Sequence, residues 1–349
     1  MGFNKGEWSE LYTFLYLMDN PNLIIVDENL TVIEENLFRV LEIILGKNKY
    51  KIVDDKIIKI VKDKKIQEYK IGCISKQSSI LLQKILAHKK AKGSFEIKEL
   101  NALIDDLFDG KKPKGSSKVK GDLEANVLDV NHSKSINLKY NIKSNLGSKA
   151  TLLNASRHTN FIYEIKHIND EIMNQSNSIK SRKKLLERCE FLNQRGGIFH
   201  FIKTESSIFG NNLKLIDSKL DEILAQMLIL SYEENEKDIQ KLLSLIVEDA
   251  TSELYYQKKI GDFANAVTFG MRAGEIWDGT NEVNGGIIVV TKGGKVYLLD
   301  LIYFKPMVDK YLIDNIKLDS PNSKRYKMFE IYKEDDRYFF KLNLQIRFK

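Results

Sequence analysis

This chain of 349 residues is short of cysteine, proline and histidine, with two, four and five of them. Two cysteines, Cys73 and Cys189, exclude a disulfide framework, and neither has a partner at metal-ligand spacing. They read as buried thiols. The histidines stand singly, which argues against a zinc site. No run of about 18 apolar residues occurs, and no basic-then-apolar leader opens the chain, so the expectation is a cytoplasmic protein with no membrane segment. Internal repeats and low-complexity linkers are also missing, which leaves no clean break between domains.

What is present points to a partner. Charged residues make up 30% and hydrophobic ones 43%, ample for a sizeable core. The net charge of +7 and a pI near 9.0 favour an anionic partner. Five lysines and no acid lie between Lys111 and Lys120. Such a loop is a candidate phosphate clamp, whose contacts would weaken steeply with salt.

That loop leads into the stretch on which the chain is organised. Asp122 to Val130 and Ser135 to Ser144 each alternate as strands do, and Asn131, His132 and Ser133 are turn formers, so the two runs make a hairpin. A turn centred near 133 and 134 sets Glu124 opposite Lys143 and Asn126 opposite Asn141. Asp122 then lies one diagonal step from Lys143 on the same face. Asp129 pairs near Leu138, roughly 17 Å along the strand and on the other face. Asp122 is therefore the candidate acid.

A carboxylate at the start of one strand and a lysine on its neighbour suit a metal-dependent phosphodiesterase. The carboxylate holds a hard cation such as Mg²⁺, and the ammonium steadies the attacking water beside the phosphate. The pattern resembles the PD-(D/E)xK nuclease site, with Gly121-Asp122 as its first half and Asn141-Ile142-Lys143 as its second. Gly121 stands in the proline position, a change expected to be harmless. Asn141 stands in place of the second carboxylate, so either one strand carboxylate suffices or another acid contributes. Glu10, in a first helix capped by Asn4, is the acid proposed for that role; the plainer reading makes Glu7 and Glu10 surface acids of a first turn.

The wider wording is similar to the HpaII-type family of type II restriction endonucleases. It is carried by GFNKGEWSELYTFLYLM near the start, SSKVKGD, NIKSNLGSKATLLNASRHTNFIYEI, IFGNNLKLIDSKL and the closing KLNLQIRFK. The resemblance implies a Mg²⁺-dependent cleaver of double-stranded DNA at a short palindrome, typically CCGG. It also implies a restriction-modification system with a cognate DNA methyltransferase, and a homodimer on DNA by symmetry. The strand motif carries over to Asp122, Asn141 and Lys143, with Asp122 and Asn141 as metal ligands.

Candidates for DNA contact lie around this motif. Lys118 and Lys120 precede it, Ser144 follows it, and Asn154, Arg157 and His158 sit in the polar segment beyond. Lys324 and Arg325 lie in a later polar loop. Helices are expected over Glu35–Leu45, Ser78–Lys90, Phe95–Phe108, Ile216–Ser231, Asp238–Val247 and Leu254–Met271, with one long polar helix over 169–195. Strand pairs are expected at Tyr50–Val61, around Gly293-Gly294, and around Asp335-Asp336. The fold class is mixed α/β: a central mixed sheet flanked by helices in a restriction-endonuclease-like core, with additional helical and C-terminal β-hairpin elements. We expect one nuclease domain, 1–349, with a catalytic core near 95–205, a helical part near 206–275 and a β-rich part at 280–349. A less specific repair nuclease and a non-catalytic DNA-binding module with a decayed site are the other readings.

Overall fold

Asn4 starts the first helix as expected: its side chain accepts the Glu7 amide at 3.0 Å, and the Glu7 carboxylate accepts the Asn4 amide at 2.8 Å. This capping box satisfies two amides that the helix leaves open. The computed structural model describes residues 2–54, 57–62, 65–88, 93–110, 120–147 and 149–349. Its first part runs α1 (Lys5–Asp19), β1 (Asn22–Val26), β2 (Val32–Leu45), β3 (Asn48–Asp54), β4 (Ile57–Lys62), β5 (Lys65–Lys70), α2 (Ile71–Ala87), α3 (Asn101–Phe108), β6 (Leu123–Asp129) and β7 (Lys134–Ser144). Then come β8 (Thr151–Leu153), β9 (Asn160–Lys166), α4 (Asp170–Ser178), α5 (Lys184–Asn193), β10 (Ile198–Thr204), α6 (Ser207–Ile216), α7 (Leu220–Glu233), α8 (Ile239–Ile246) and α9 (Ala250–Phe269). The chain closes with β11 (Gly286–Val290), β12 (Val296–Asp300), α10 (Lys305–Asn315), β13 (Ile316–Leu318), β14 (Tyr332–Glu334), β15 (Arg337–Asn343) and β16 (Ile346–Phe348).

Contacts gather these elements into two units, 1–150 with 281–311, and 151–280 with 312–349. The first unit holds a nine-stranded sheet in the order β1-β12-β11-β7-β6-β2-β3-β4-β5. Strands β1 and β12, and β11 and β7, run parallel, and the other neighbours antiparallel, so the sheet is mixed. Pairing of β1 with β2 closes six of the strands into a barrel-like ring. One sheet face packs against helices: Leu123, Ala125, Val127, Leu138, Tyr140 and Ile142 share a core with Trp8, Leu11, Leu15, Leu81 and Ile104. Each large side chain buried there contributes about 1.5–3 kcal/mol.

The second unit has a four-stranded sheet, β10-β9-β15-β14, and a three-stranded one, β13-β16-β8. Tyr163 of β9 stacks on Phe340 of β15 with ring centroids 5.1 Å apart, and its hydroxyl donates to the Ala225 carbonyl of α7 at 2.7 Å. The segments expected near 95–205 and 280–349 are thus divided between units. Strands β11 and β12 complete the first unit's sheet, whereas β14 to β16 pair in the second.

Several local expectations are corrected. Glu35–Leu45 is strand, because β2 pairs with β1, β3 and β6, and that ladder overrides a helical spacing of apolar residues. The long helix over 169–195 is two helices. Between them the buried Arg188 guanidinium donates to the carbonyls of Asn177 and Ile179 at 2.8 and 3.0 Å, and to that of Phe329 at 2.9 Å. Arg188 is therefore a structural tie. Residues 207–216 form α6, ahead of the helix expected from Ile216. Cys189 is buried as expected, but Cys73 is exposed.

Candidate active site

The β6–β7 hairpin forms, in a different register. Asp129 pairs with Lys134, Asn126 with Asn137 and Glu124 with Lys139, so the turn is centred two residues earlier than expected. Local chemistry in the turn explains this. Asp129 Oδ1 accepts the His132 amide at 3.2 Å, the Ser133 amide donates to the Val130 carbonyl, and Ser133 takes the left-handed conformation at φ 52°. Each β7 partner consequently moves by four residues. An even displacement leaves every side chain on its face. Asp122 and Lys143 thus remain diagonal neighbours, while Asp129 lies nine residues, roughly 30 Å, along the strand from Lys143.

Leu123, Tyr140 and Ile142 belong to the helix-packed core, so Asp122, Asn141 and Lys143 face the other side of the sheet. The Asp122 amide donates to the Tyr140 carbonyl at 2.8 Å, continuing the ladder. The next ladder bond is received by a side chain: the Ile142 amide donates to Asp122 Oδ2 at 2.7 Å. This pins the carboxylate beside the residue that separates Asn141 from Lys143. Gly121 makes the departure possible with φ +112°. That angle is closed to proline, which is held near −65°, so glycine at this position is required and not merely harmless.

Asn141 is 6% exposed, and Asp122 and Lys143 are half-buried. Among the described residues, the Lys143 ammonium has no hydrogen bond or ion pair, and Asp122 has no cation partner. A carboxylate and an ammonium therefore lie on one face with their charges uncommitted. The oxygen donors on this face include the carboxylate of Asp122 and the side-chain amide of Asn141. These are hard oxygen ligands of the kind Mg²⁺ takes, and it is commonly held by one or two carboxylates plus waters. Among the described residues no three His, Cys, Asp or Glu side chains gather to hold a metal.

Glu10 lies on α1 and is half-buried, next to Leu11, which packs into the core. Ser144 Oγ accepts the Leu146 amide at 3.1 Å and shapes the exit from β7. Lys118 lies outside the described residues. The Lys120 amide donates to Glu282 Oε2 at 2.6 Å. Only the tertiary pairing of β11 with β7 places Glu282 there; no motif marks it.

The remaining candidates for DNA contact come together in the second unit. Tyr326 donates to the Ala155 carbonyl at 2.9 Å, drawing the loop that carries Lys324 and Arg325 against the segment of Asn154, Arg157 and His158. Asn322 holds the loop by accepting the Lys324 and Arg325 amides at 3.1 and 3.0 Å. Asn154, Arg157, Lys324 and Arg325 are exposed. His158 is half-buried against Gly274, where an added Cβ would come within 3.0 Å of its ring.

Comparison with known proteins gives the family. The sequence model of the HpaII restriction endonuclease family matches residues 4–348. The type II restriction enzyme HpaII of Haemophilus parainfluenzae is 32% identical over 357 residues, covering 99% of this chain and 98% of that protein. No solved structure matches the chain. From a match along nearly its whole length, the chain belongs to the HpaII restriction endonuclease family and is a type II site-specific deoxyribonuclease.

Proposed function

We propose that the enzyme hydrolyses a phosphodiester of double-stranded DNA within a short CCGG-type palindrome, with Asp122, Asn141 and Lys143 as its reacting-site residues. The observation that carries this reading is the half-buried pair Asp122 and Lys143 on one sheet face, neither having an opposite charge as partner among the described residues. Asp122, anchored by the Ile142 amide, would hold Mg²⁺ through its other oxygen, and Asn141 would add a neutral donor. When bound, the ion supplies a Lewis acid for the phosphate and lowers the pKa of an attacking water. Lys143 orients that water and stabilises negative charge growing on the phosphate oxygens. The water oxygen bonds to phosphorus as the ester P–O bond opposite it breaks; the water proton passes to solvent, and the leaving oxygen takes up a proton from solvent to become a hydroxyl.

Lys118, Lys120 and Ser144 are assigned to the phosphates near the site. Asn154, Arg157, His158, Lys324 and Arg325 are assigned to base edges and backbone. A palindromic site calls for two protomers, hence a homodimer on DNA, and a cognate methyltransferase would protect host sites. No helix among the described residues is long and apolar enough to cross a membrane. The test is digestion of a phage genome with Mg²⁺ and sequencing of the fragment ends. Discrete fragments ending in one palindrome are expected; a smear means a less specific nuclease and overturns the reading.

A further inference from the structure

Asn141 cannot supply a negative charge, so a second anionic ligand is sought among the residues that share the Asp122 face. Glu124 is on that face. It pairs with Lys139 across the hairpin, and the neighbouring Asn126 and Asn137 side chains, joined at 3.0 Å, confirm which way this register points. From that position Glu124 is the next residue after Asp122 on the same strand face, about 7 Å along, and the diagonal neighbour of Asn141, again about 7–8 Å between backbones. The side chains of these three residues leave the same face of β6 and β7.

Glu124 is half-buried, and among the described residues its carboxylate has neither hydrogen bond nor ion pair, although Lys139 stands directly opposite. Another acid on this face behaves differently. Glu42 accepts the Asn126 amide nitrogen at 2.8 Å and pairs with Lys49 and Lys51 at 3.8 and 3.7 Å. Glu42 is thus neutralised within the fold. Asp122 and Glu124 are not.

We infer that Glu124 supplies the second carboxylate of the divalent-cation site, replacing the acid that Asn141 lacks. The inference rests on the nuclease site proposed above. It predicts a D-x-E pair on one strand with an amide from the next, in which the acid missing from β7 has moved across the hairpin to its diagonal neighbour.

The test is Mn²⁺ titration of the full-length protein, with bound and free ion distinguished by electron paramagnetic resonance and folding checked by circular dichroism. Glu124→Gln should raise the Mn²⁺ dissociation constant by about 10- to 100-fold, a loss already typical of residues behind a metal's direct ligands. Adding Asn141→Asp to that variant should restore binding, which a merely structural Glu124 would not allow. Unchanged affinity in Glu124→Gln, with binding lost in Asp122→Asn, overturns the assignment of Glu124 alone. Weakened affinity in Glu10→Gln with none in Glu124→Gln also overturns it, in favour of the first helix. Unchanged affinity in Asp122→Asn overturns the site itself.

Discussion

The two ends of the β6–β7 hairpin each carry an aspartate, and the two are treated in opposite ways. At the turn, Asp129 is 6% exposed and fully engaged. Its carboxylate accepts from Tyr303 at 2.5 Å, lies 3.1 Å from His132 Nδ1, and accepts the His132 amide. Burial opposes its charge, but those hydrogen bonds outweigh burial and hold the carboxyl below the usual range. Its hydrogen bond in turn pushes the Tyr303 hydroxyl up to about 12. At the other end, Asp122 accepts one main-chain amide, and the Lys143 ammonium has no partner among the described residues. One aspartate closes a turn, and the other keeps an oxygen available. The difference separates an acid engaged in the fold from the one proposed to hold the cation, although both begin as Asp in the same hairpin.

The sharpest way to break this contrast is Lys143→Ala. Cleavage of plasmid DNA should fall about 10²–10⁴-fold, the usual contribution of a residue that positions or moves a proton. Gel shifts on duplex DNA should persist, and retained Mg²⁺-dependent cleavage would remove the mechanism. Next in size is Asp129→Asn, expected to cost about 1–3 kcal/mol of stability by unbalancing the hydrogen bonds of Tyr303 and His132. Urea unfolding measures that loss. Cleavage per folded molecule should stay at the wild-type level, and a drop would show that both ends of the hairpin serve the reaction.

Gly121→Ala should destabilise by about 1–2 kcal/mol, because a side chain is poorly accommodated at positive φ. Its effect on cleavage should exceed that on the melting temperature, since the strain is applied one residue from Asp122. The smallest effect is expected in the second unit, where Arg337 grips Glu164 at 2.7 and 2.8 Å. That guanidinium holds the Glu164 carboxyl below its ordinary value. A depressed carboxyl stabilises the fold above its unfolded pKa, about 4.3, and the contribution is lost as pH falls through the folded value. Acid unfolding followed by circular dichroism should therefore differ little between Glu164→Gln and wild type below that range. Above it, the variant should be less stable by at most about 1 kcal/mol, since Arg337 is half exposed.

Local signals in the chain account for much of the hairpin. Alternation from Asp122 and from Ser135 marked both strands, and Asn131 to Ser133 marked the turn. Register was missed because it depends on a side chain, Asp129, capping its own turn, which alternation does not encode. The parity of the miss was even, so the face carrying Asp122, Asn141 and Lys143 was still read correctly. Glu35 to Leu45 was misread because spacing within one segment does not reveal that three other strands will pair with it. The break near Ile179 escaped for a related reason: the groups that Arg188 binds include a carbonyl 141 residues away.

Composition, charge and the short D-to-NxK pattern, together with family wording spread from Gly2 to Lys349, were enough to indicate a DNA-cleaving enzyme. These are local properties, readable wherever the chain goes. Which strands flank β7, where Glu124 and Glu282 stand, and how Lys324 reaches Ala155's segment were decided only by folding. Each of these depends on hydrogen bonds between distant residues, and the stability of such bonds comes from burial that no single segment contains.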